Sequence, residues 1–254
     1  MKYKKGQILL ITVMLLATVM TIVLSVSFKS VTDTQVTKLE EESQKALAAA
    51  ESAIEVALKE NSSDSSKTTI ALSSISGISG FSGNATIEKL SGQTFTTSSI
   101  LKDGSYTFYL GNYNLTTKAI ESSYNQDVIL CFQGGGTNPA IEATLVKSNG
   151  VTKYVVDPSS RITNASNGLP VSSSCPSGYT YSTTITGDAN SQFLLVRVLY
   201  ASTKLFFYSS SNLPVQGRTV SSQATSSTST GVSKKVVLFQ SYPQIPAEFF
   251  TTAF

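Results

Sequence analysis

Hydrophobic and polar positions divide this chain into two very different parts. Ile8–Phe28 is an uncharged, predominantly apolar run of 21 residues without glycine or proline. At the helical rise it is about 31 Å long, enough to cross a hydrocarbon core of about 30 Å. Lys29–Glu60 continues without glycine or proline, but its apolar residues fall at spacings of three, four and seven: Val36, Leu39, Ala46, Leu47, Ala50, Ile54, Ala57 and Leu58. That period predicts an amphipathic helix whose other face carries Glu40, Glu41, Gln44, Lys45, Ser52, Glu55 and Lys59. The alanine cluster 46–50, with Leu47 inside it, adds high helix propensity. A single helix from Gln7 to Glu60 would be about 80 Å long, so its first half needs lipid or neighbouring helices to cover it.

The period changes after Asn61–Ser66, a polar stretch that reads as a helix stop and a flexible neck. Short, often alternating segments follow at Thr86–Leu90, Tyr106–Leu110, Asp127–Phe132, Ala140–Val146, Val151–Val156, Phe193–Tyr200, Lys204–Tyr208 and Lys235–Gln240. These predict strands. One hairpin is expected through Asn149-Gly150 as a type I′ turn, and a second around Ala201–Thr203. Ser159–Ser174 and Ser209–Thr230 read as long surface loops. Tyr242–Phe250, with Pro243 and Pro246, predicts an extended tail capping the sheet, with Phe249 and Phe250 buried. The predicted fold class is α+β. A long N-terminal helix, transmembrane then amphipathic, packs on an antiparallel β-rich head in a lollipop arrangement. In the simplest version, one sheet brings Leu194, Val196 and Val198 against Val36, Leu39, Leu47 and Ile54 of the helix. The expected organisation is a basic leader over 1–6, the helix over 7–60 and an extracytoplasmic head over 61–254.

Charge adds orientation. Lys2, Lys4 and Lys5 precede the apolar run, so the positive-inside rule puts the N-terminus in the cytoplasm and the head outside. A secretory signal peptide is the competing reading, with Ser25-Val26-Ser27 as a small-x-small site. Signal h-regions are usually shorter, about 7–15 residues, and give no reason for a helix to continue beyond them. The formal charge of +3 is scattered singly through the head, a pattern that does not support a nucleic-acid partner. The two cysteines, Cys131 and Cys175, fall in the extracytoplasmic part, where a disulfide between them is expected.

Candidate chemistry is sparse. There is no histidine, and the cysteines lack a C-x-x-C spacing, which removes the commonest general base and a standard zinc site. Gly134-Gly135-Gly136 lacks the Gly-Lys-Ser/Thr ending of a phosphate loop. Asp188–Ser191 reads as a turn rather than a calcium loop, since calcium needs about six to eight gathered oxygens. Tyr113, Tyr124, Tyr179 and Tyr181 fit sheet-edge packing better than an adhesive surface. No cofactor, metal or enzymatic site is expected.

Lys4-Lys5-Gly6 followed by Gln7-Ile8-Leu9-Leu10-Ile11 resembles a prepilin peptidase site. Ala48-Ala49-Ala50-Glu51-Ser52-Ala53-Ile54-Glu55-Val56-Ala57-Leu58, in register after the apolar run, resembles the alanine-glutamate signature of PilX-type minor pilins and K-type minor pseudopilins. The likeness covers about the first sixty residues. It implies cleavage after Gly6, N-methylation at Gln7, and partnership with the peptidase and with other pilin subunits. It also implies residence in the cytoplasmic membrane before assembly and display on a surface filament afterwards. Two positions depart from the family. Gln7 stands where Phe or Met is usual, and Ile11 stands at the fifth mature position, where most pilins carry glutamate. The missing acid points to a minor subunit, with the filament tip open to it, rather than the major repeating subunit. The alternative is a single-pass membrane-anchored extracytoplasmic binding module never built into a fibre. Adhesion, motility, DNA uptake and secretion share this N-terminal machinery and are not separated by the sequence.

Overall fold

A computed structural model describes residues 5–60, 67–89, 91–162, 168–172, 175–176, 178–228 and 231–246. The neck at 61–66 and the two phenylalanines expected to be buried in the tail, Phe249 and Phe250, lie outside the described residues. Among the described residues one α-helix, α1 (Lys5–Glu60), precedes twelve strands. They are β1 (Lys67–Ala71), β2 (Phe81–Glu88), β3 (Thr94–Ile100), β4 (Ser105–Tyr109), β5 (Val128–Phe132) and β6 (Ala140–Lys147). The second six are β7 (Gly150–Val156), β8 (Tyr181–Ile185), β9 (Ser191–Leu199), β10 (Thr203–Tyr208), β11 (Gly217–Ser226) and β12 (Ser233–Ser241). The fold is α+β, with the long helix packed against antiparallel sheet.

The single expected sheet is instead three, each of four strands, in the orders β1-β2-β11-β12, β3-β10-β5-β8 and β4-β9-β6-β7. The reason is visible in burial. β6 is buried at six consecutive positions, Ala140–Leu145, so both of its faces are covered, which a lone sheet on a helix cannot provide. The expected hairpin around Ala201–Thr203 does not form either. β9 is flanked by β4 and β6, leaving no free edge, and β10 pairs with β3 and β5 in another sheet. Tyr200, with φ +69°, turns the chain from one sheet to the other.

The β6–β7 hairpin does form, with its turn one residue earlier than expected. Lys147 pairs with Gly150, so Ser148-Asn149 is the loop. Neither loop residue has positive φ, whereas Gly150 does (φ +153°), so the turn is not type I′. Ser209–Thr230, expected to be a loop, contains the ten-residue β11. Its alternation runs through Val220, Ser222, Ala224 and Ser226, all buried, and three of these four positions are small or polar side chains. A hydropathy reading does not register them as an inward face.

The chain forms two compact units. The first consists of Met1–Val56, Ile70–Ala85 and Ser221–Val236. Its buried side chains are Ala46, Ala49, Ala50, Ala53 and Ile54 of α1 with Ile70, Leu72, Ala85 and Ala224. Alanines at 46, 49, 50 and 53 give α1 a buried face of small side chains, and β2 and β11 approach each other closely in the same unit. A Cβ on Gly83 would lie 1.9 Å from the carbonyl oxygen of Gln223, and φ there is +141°. Glu42 accepts a 2.9 Å hydrogen bond from the Thr228 hydroxyl in the same unit. The predicted helix stripe is therefore half right. Ala46, Ala50, Ile54 and Ala57 are buried, whereas Val36, Leu39 and Leu47 are exposed.

The second unit consists of Ala57–Thr69, Thr86–Val220 and Val237–Phe254. Here the sheets β3-β10-β5-β8 and β4-β9-β6-β7 share one core that includes Phe108, Leu130, Phe132, Ile141, Leu194, Val196, Val198, Leu205 and Phe207. Phe108 of β4 and Phe207 of β10 stack with centroids 4.0 Å apart, joining the two sheets face to face. Leu194, Val196 and Val198 thus face a second sheet within this unit, and the core they share with it includes none of Val36, Leu39, Leu47 and Ile54, which were expected to meet them. Cys131 of β5 is disulfide-bonded to Cys175, with Cα atoms 6.1 Å apart.

Candidate functional site

The N-terminal helix carries the feature that most needs a functional account. Its 56 residues extend about 84 Å. Among Leu9–Phe28 the large apolar side chains are 48–70% exposed, on every face of the helix. A helix that is apolar all round is stable only in lipid or among other helices. By length and composition this one can cross a membrane. Two of its threonine hydroxyls are paired along the helix itself. The Thr18 hydroxyl donates to the Leu15 carbonyl at 2.8 Å, and Thr21 donates to Ala17 at 2.5 Å. Bonding of this kind is what hydrocarbon requires, because no water is present to satisfy a hydroxyl.

The character changes at Lys29. Thr32, Thr34 and Thr37 still donate back to the helix, at 2.8–2.9 Å. Charges now appear, and Lys45 pairs with Glu41 one turn earlier at 2.5 Å. The hydrogen bond from Lys45 holds the Glu41 carboxyl below its ordinary value, and the same bond raises Lys45. Both groups are exposed, so the pair contributes little to stability. Farther along, the alanine face is seated in its own unit, so the two halves of the helix have opposite needs. Among the described residues the first half has no covering; the second has one.

Gly6 and Gln7 fall in the first turn of α1. Ile11, at the position where an acid is usual, is 56% exposed, one apolar side chain among the others of the span. Cys131 and Cys175 are brought together from positions 44 residues apart. They act as a covalent tie between β5 and the segment before β8.

The acidic residues of the strand-rich part that could have served chemistry are engaged structurally. Glu142 is buried, 3.5 Å from Lys153 and 3.9 Å from Arg197. Asp188, the candidate calcium ligand, binds Lys147 at 2.7 Å and caps the amide of Asn190 at 2.8 Å. The Lys147 bond, with help from that amide, holds its carboxyl below the ordinary range. Among the described residues no three His, Cys, Asp or Glu side chains gather as a metal site would require. The four tyrosines are half-buried and each is engaged. Tyr113 lies against Tyr109 and Tyr242, Tyr179 against Phe206, Tyr181 against Phe132, and the Tyr124 hydroxyl donates to Ser211.

One surface was not singled out by the sequence pattern. β12 lies at the edge of its sheet and exposes Val237, Leu238 and Phe239 consecutively. The run Val236–Phe239 between Lys234-Lys235 and Gln240 signalled a strand, but not that the strand would be an edge. No family model matches the chain, and no curated protein matches it either.

Proposed function

We propose that this chain is a minor subunit of a type IV pilus or a related filament, cut after Gly6, held in the cytoplasmic membrane by its apolar helix and then built into the fibre through that helix. The observation that carries the reading is one continuous helix with two kinds of surface. Leu9–Phe28 is apolar on all sides and uncovered, while Ala46–Ile54 is seated against the chain's own sheet. A plain anchor needs the first part only. Continuing as an unbroken, glycine-free and proline-free helix into a folded domain fixes the direction of the span relative to the unit that α1 enters. That rigidity is useful when identical or related spans must stack in register. Lys4-Lys5-Gly6-Gln7 supplies the processing bond, and the lysines orient the N-terminus inward. With no acid in the span, the subunit does not dock by pairing a buried carboxylate with a neighbour's terminal amine. A lone carboxylate in lipid is kept only where it has a task. This favours a minor position, at the tip or otherwise, over the repeating shaft.

The test is intact-mass and N-terminal peptide analysis of the protein from its native cells, beside a variant with Gly6 replaced by a bulky residue. A mature chain beginning at methylated Gln7, trapped as precursor by the substitution, is the expected result. A chain beginning at Met1 in both, with unchanged surface display, sinks the filament reading and leaves a membrane-anchored binding module.

A further inference from the structure

β4 is the outer strand of the sheet β4-β9-β6-β7, so among the described residues one of its sides has no strand neighbour. The direction of its peptide groups is fixed at both ends. The Val198 amide donates to the Gly104 carbonyl, and the Leu110 amide donates to Gln192. Even-numbered residues therefore bond to β9, and alternation sends the N–H and C=O groups of Thr107 and Tyr109 outward. An outer strand of this kind is a template for another chain unless something protects it. β12 and β7 carry lysines for that purpose, Lys234 and Lys235 in one and Lys153 in the other. β4 reads Ser-Tyr-Thr-Phe-Tyr, aromatic and β-branched, with no charge, glycine or proline. That composition pairs readily with its own kind.

The outward groups of β4 are nevertheless met, and by side chains. Gln216 accepts from the Tyr109 amide at 2.8 Å and donates to the Tyr109 carbonyl at 2.8 Å. Gln244 accepts from the Thr107 amide at 2.7 Å and donates to the Thr107 carbonyl at 3.5 Å. A primary amide offers a carbonyl and N–H donors, the same pair of functions as a peptide group. Two glutamines at alternate positions thus make the contacts that the backbone of a neighbouring strand would make. Their settings differ. Gln216 is 3% exposed and also donates to the Pro214 carbonyl at 2.7 Å. Gln244 is exposed, on the tail that follows β12. The tail is held where the Tyr109 hydroxyl donates to the Pro243 carbonyl at 2.7 Å and the Ile245 amide donates to the Thr107 hydroxyl at 2.9 Å. Pro243 and Pro246 have no amide hydrogen to donate, so the tail closes the edge without becoming a strand itself.

We propose that Gln216 and Gln244 are a substitute strand, an autoinhibitory contact that closes β4 against pairing with the β4 of a second copy. Gln216 is the fixed pin and Gln244 the strap. With the strap gone, two uncharged β4 edges present identical outward groups to each other, and no like charges hold them apart. Such a contact is isologous and closes at two copies. The device lies wholly within the strand-rich unit and needs no filament, so it stands or falls separately from the processing of Gly6.

The test is residue-resolved hydrogen exchange with light scattering on the full chain in detergent, using Gln244→Met alone and Gln244→Met with Gln216→Met. Methionine keeps the length of glutamine but offers neither the donor nor the carbonyl. Wild type should exchange slowly at Thr107 and Tyr109 at every protein concentration. At low concentration Gln244→Met should speed exchange at Thr107 by about tenfold or more, and the double variant should do the same at Tyr109 as well. Tyr106 and Phe108, which bond to β9, should be unchanged. At high concentration both variants should associate more strongly than wild type, with the opened amides slow again because they now donate to the second copy. Unchanged exchange at Thr107, association no stronger than that of wild type, or associated variants whose opened amides stay fast would each overturn the proposal. If the double variant loses protection throughout β9, and with it the fold, Gln244→Met alone decides by the same readouts.

Discussion

Asp157 sits at the centre of a hydrogen-bonded turn. Its side chain is 3% exposed and accepts from the amides of Ser159, Arg161 and Ile162 and from the Arg161 guanidinium. That guanidinium also donates to the Asn138 carbonyl and lies 3.8 Å over the Tyr200 ring. Burial alone would raise the carboxyl; the Arg161 bonds and the Ser159 and Arg161 amides outweigh it, and the net shift is downward. A depressed carboxylate contributes stability that is present above its unfolded value, about 3.9, and is lost as pH falls through the folded value. Asp157→Asn should therefore cost about 2 kcal/mol at neutral pH. The difference from wild type should shrink in urea melts taken below about pH 4. A gap that stays constant down to acid pH would mean that shape, not charge, is what the turn uses. The Cys131–Cys175 tie is larger in effect. Removing it by the double alanine variant should lower stability by about 4 kcal/mol in the chain-entropy picture, read as a lower urea midpoint. Wild type in reductant should approach the same midpoint.

At the scale of elements the helix makes the sharpest distinction between pattern and packing. Leu47 belongs to the predicted stripe but is 40% exposed, whereas Ala50 and Ala53 are fully buried. Leu47→Ala should then cost less than about 1 kcal/mol, while Ala50→Leu should cost about 1–3 kcal/mol by overpacking. The reverse order in thermal melts would restore the predicted face. The helix was legible in the sequence because apolar composition and the absence of breakers act locally. The precise face was not, since alanine scores weakly beside leucine although small side chains permit the closest approach. Strand existence was similarly legible at β6, β7, β9 and β10, whose β-branched and aromatic residues speak for themselves. β11 was hidden by its serines and threonines. The assignment of β9 and β10 to different sheets was hidden for another reason. A three-residue connection predicts a hairpin locally, and only the presence of β4 on β9's free edge, far away in sequence, forbids it. The edge status of β12 is also a topological property. Nothing within Val236–Phe239 says whether a neighbour will arrive on one side or on both.

For the molecule as a whole, the candidate site was legible to the extent that it is made of consecutive residues. Gly6, Gln7 and the run Ile8–Phe28 are read from the chain directly, whereas any site assembled from distant strands requires the fold. The consequence is a partition between the two kinds of function. If the helix governs location and export, deleting residues 8–28 should move the protein from the membrane pellet to the soluble fraction and leave Cys131 and Cys175 reduced, because the span no longer carries them out of the cytoplasm. Full-length protein should resist extraction at alkaline pH and require detergent. Fractionation with a non-reducing gel reads both quantities at once. Soluble, oxidised protein after the deletion would mean that the cysteines reach an oxidising compartment without the span. Soluble, reduced protein would mean that they are oxidised only after the span has carried them across the membrane. A cleavable secretory signal in place of residues 1–28 should then restore the bond, which separates a failure of export from a failure to fold.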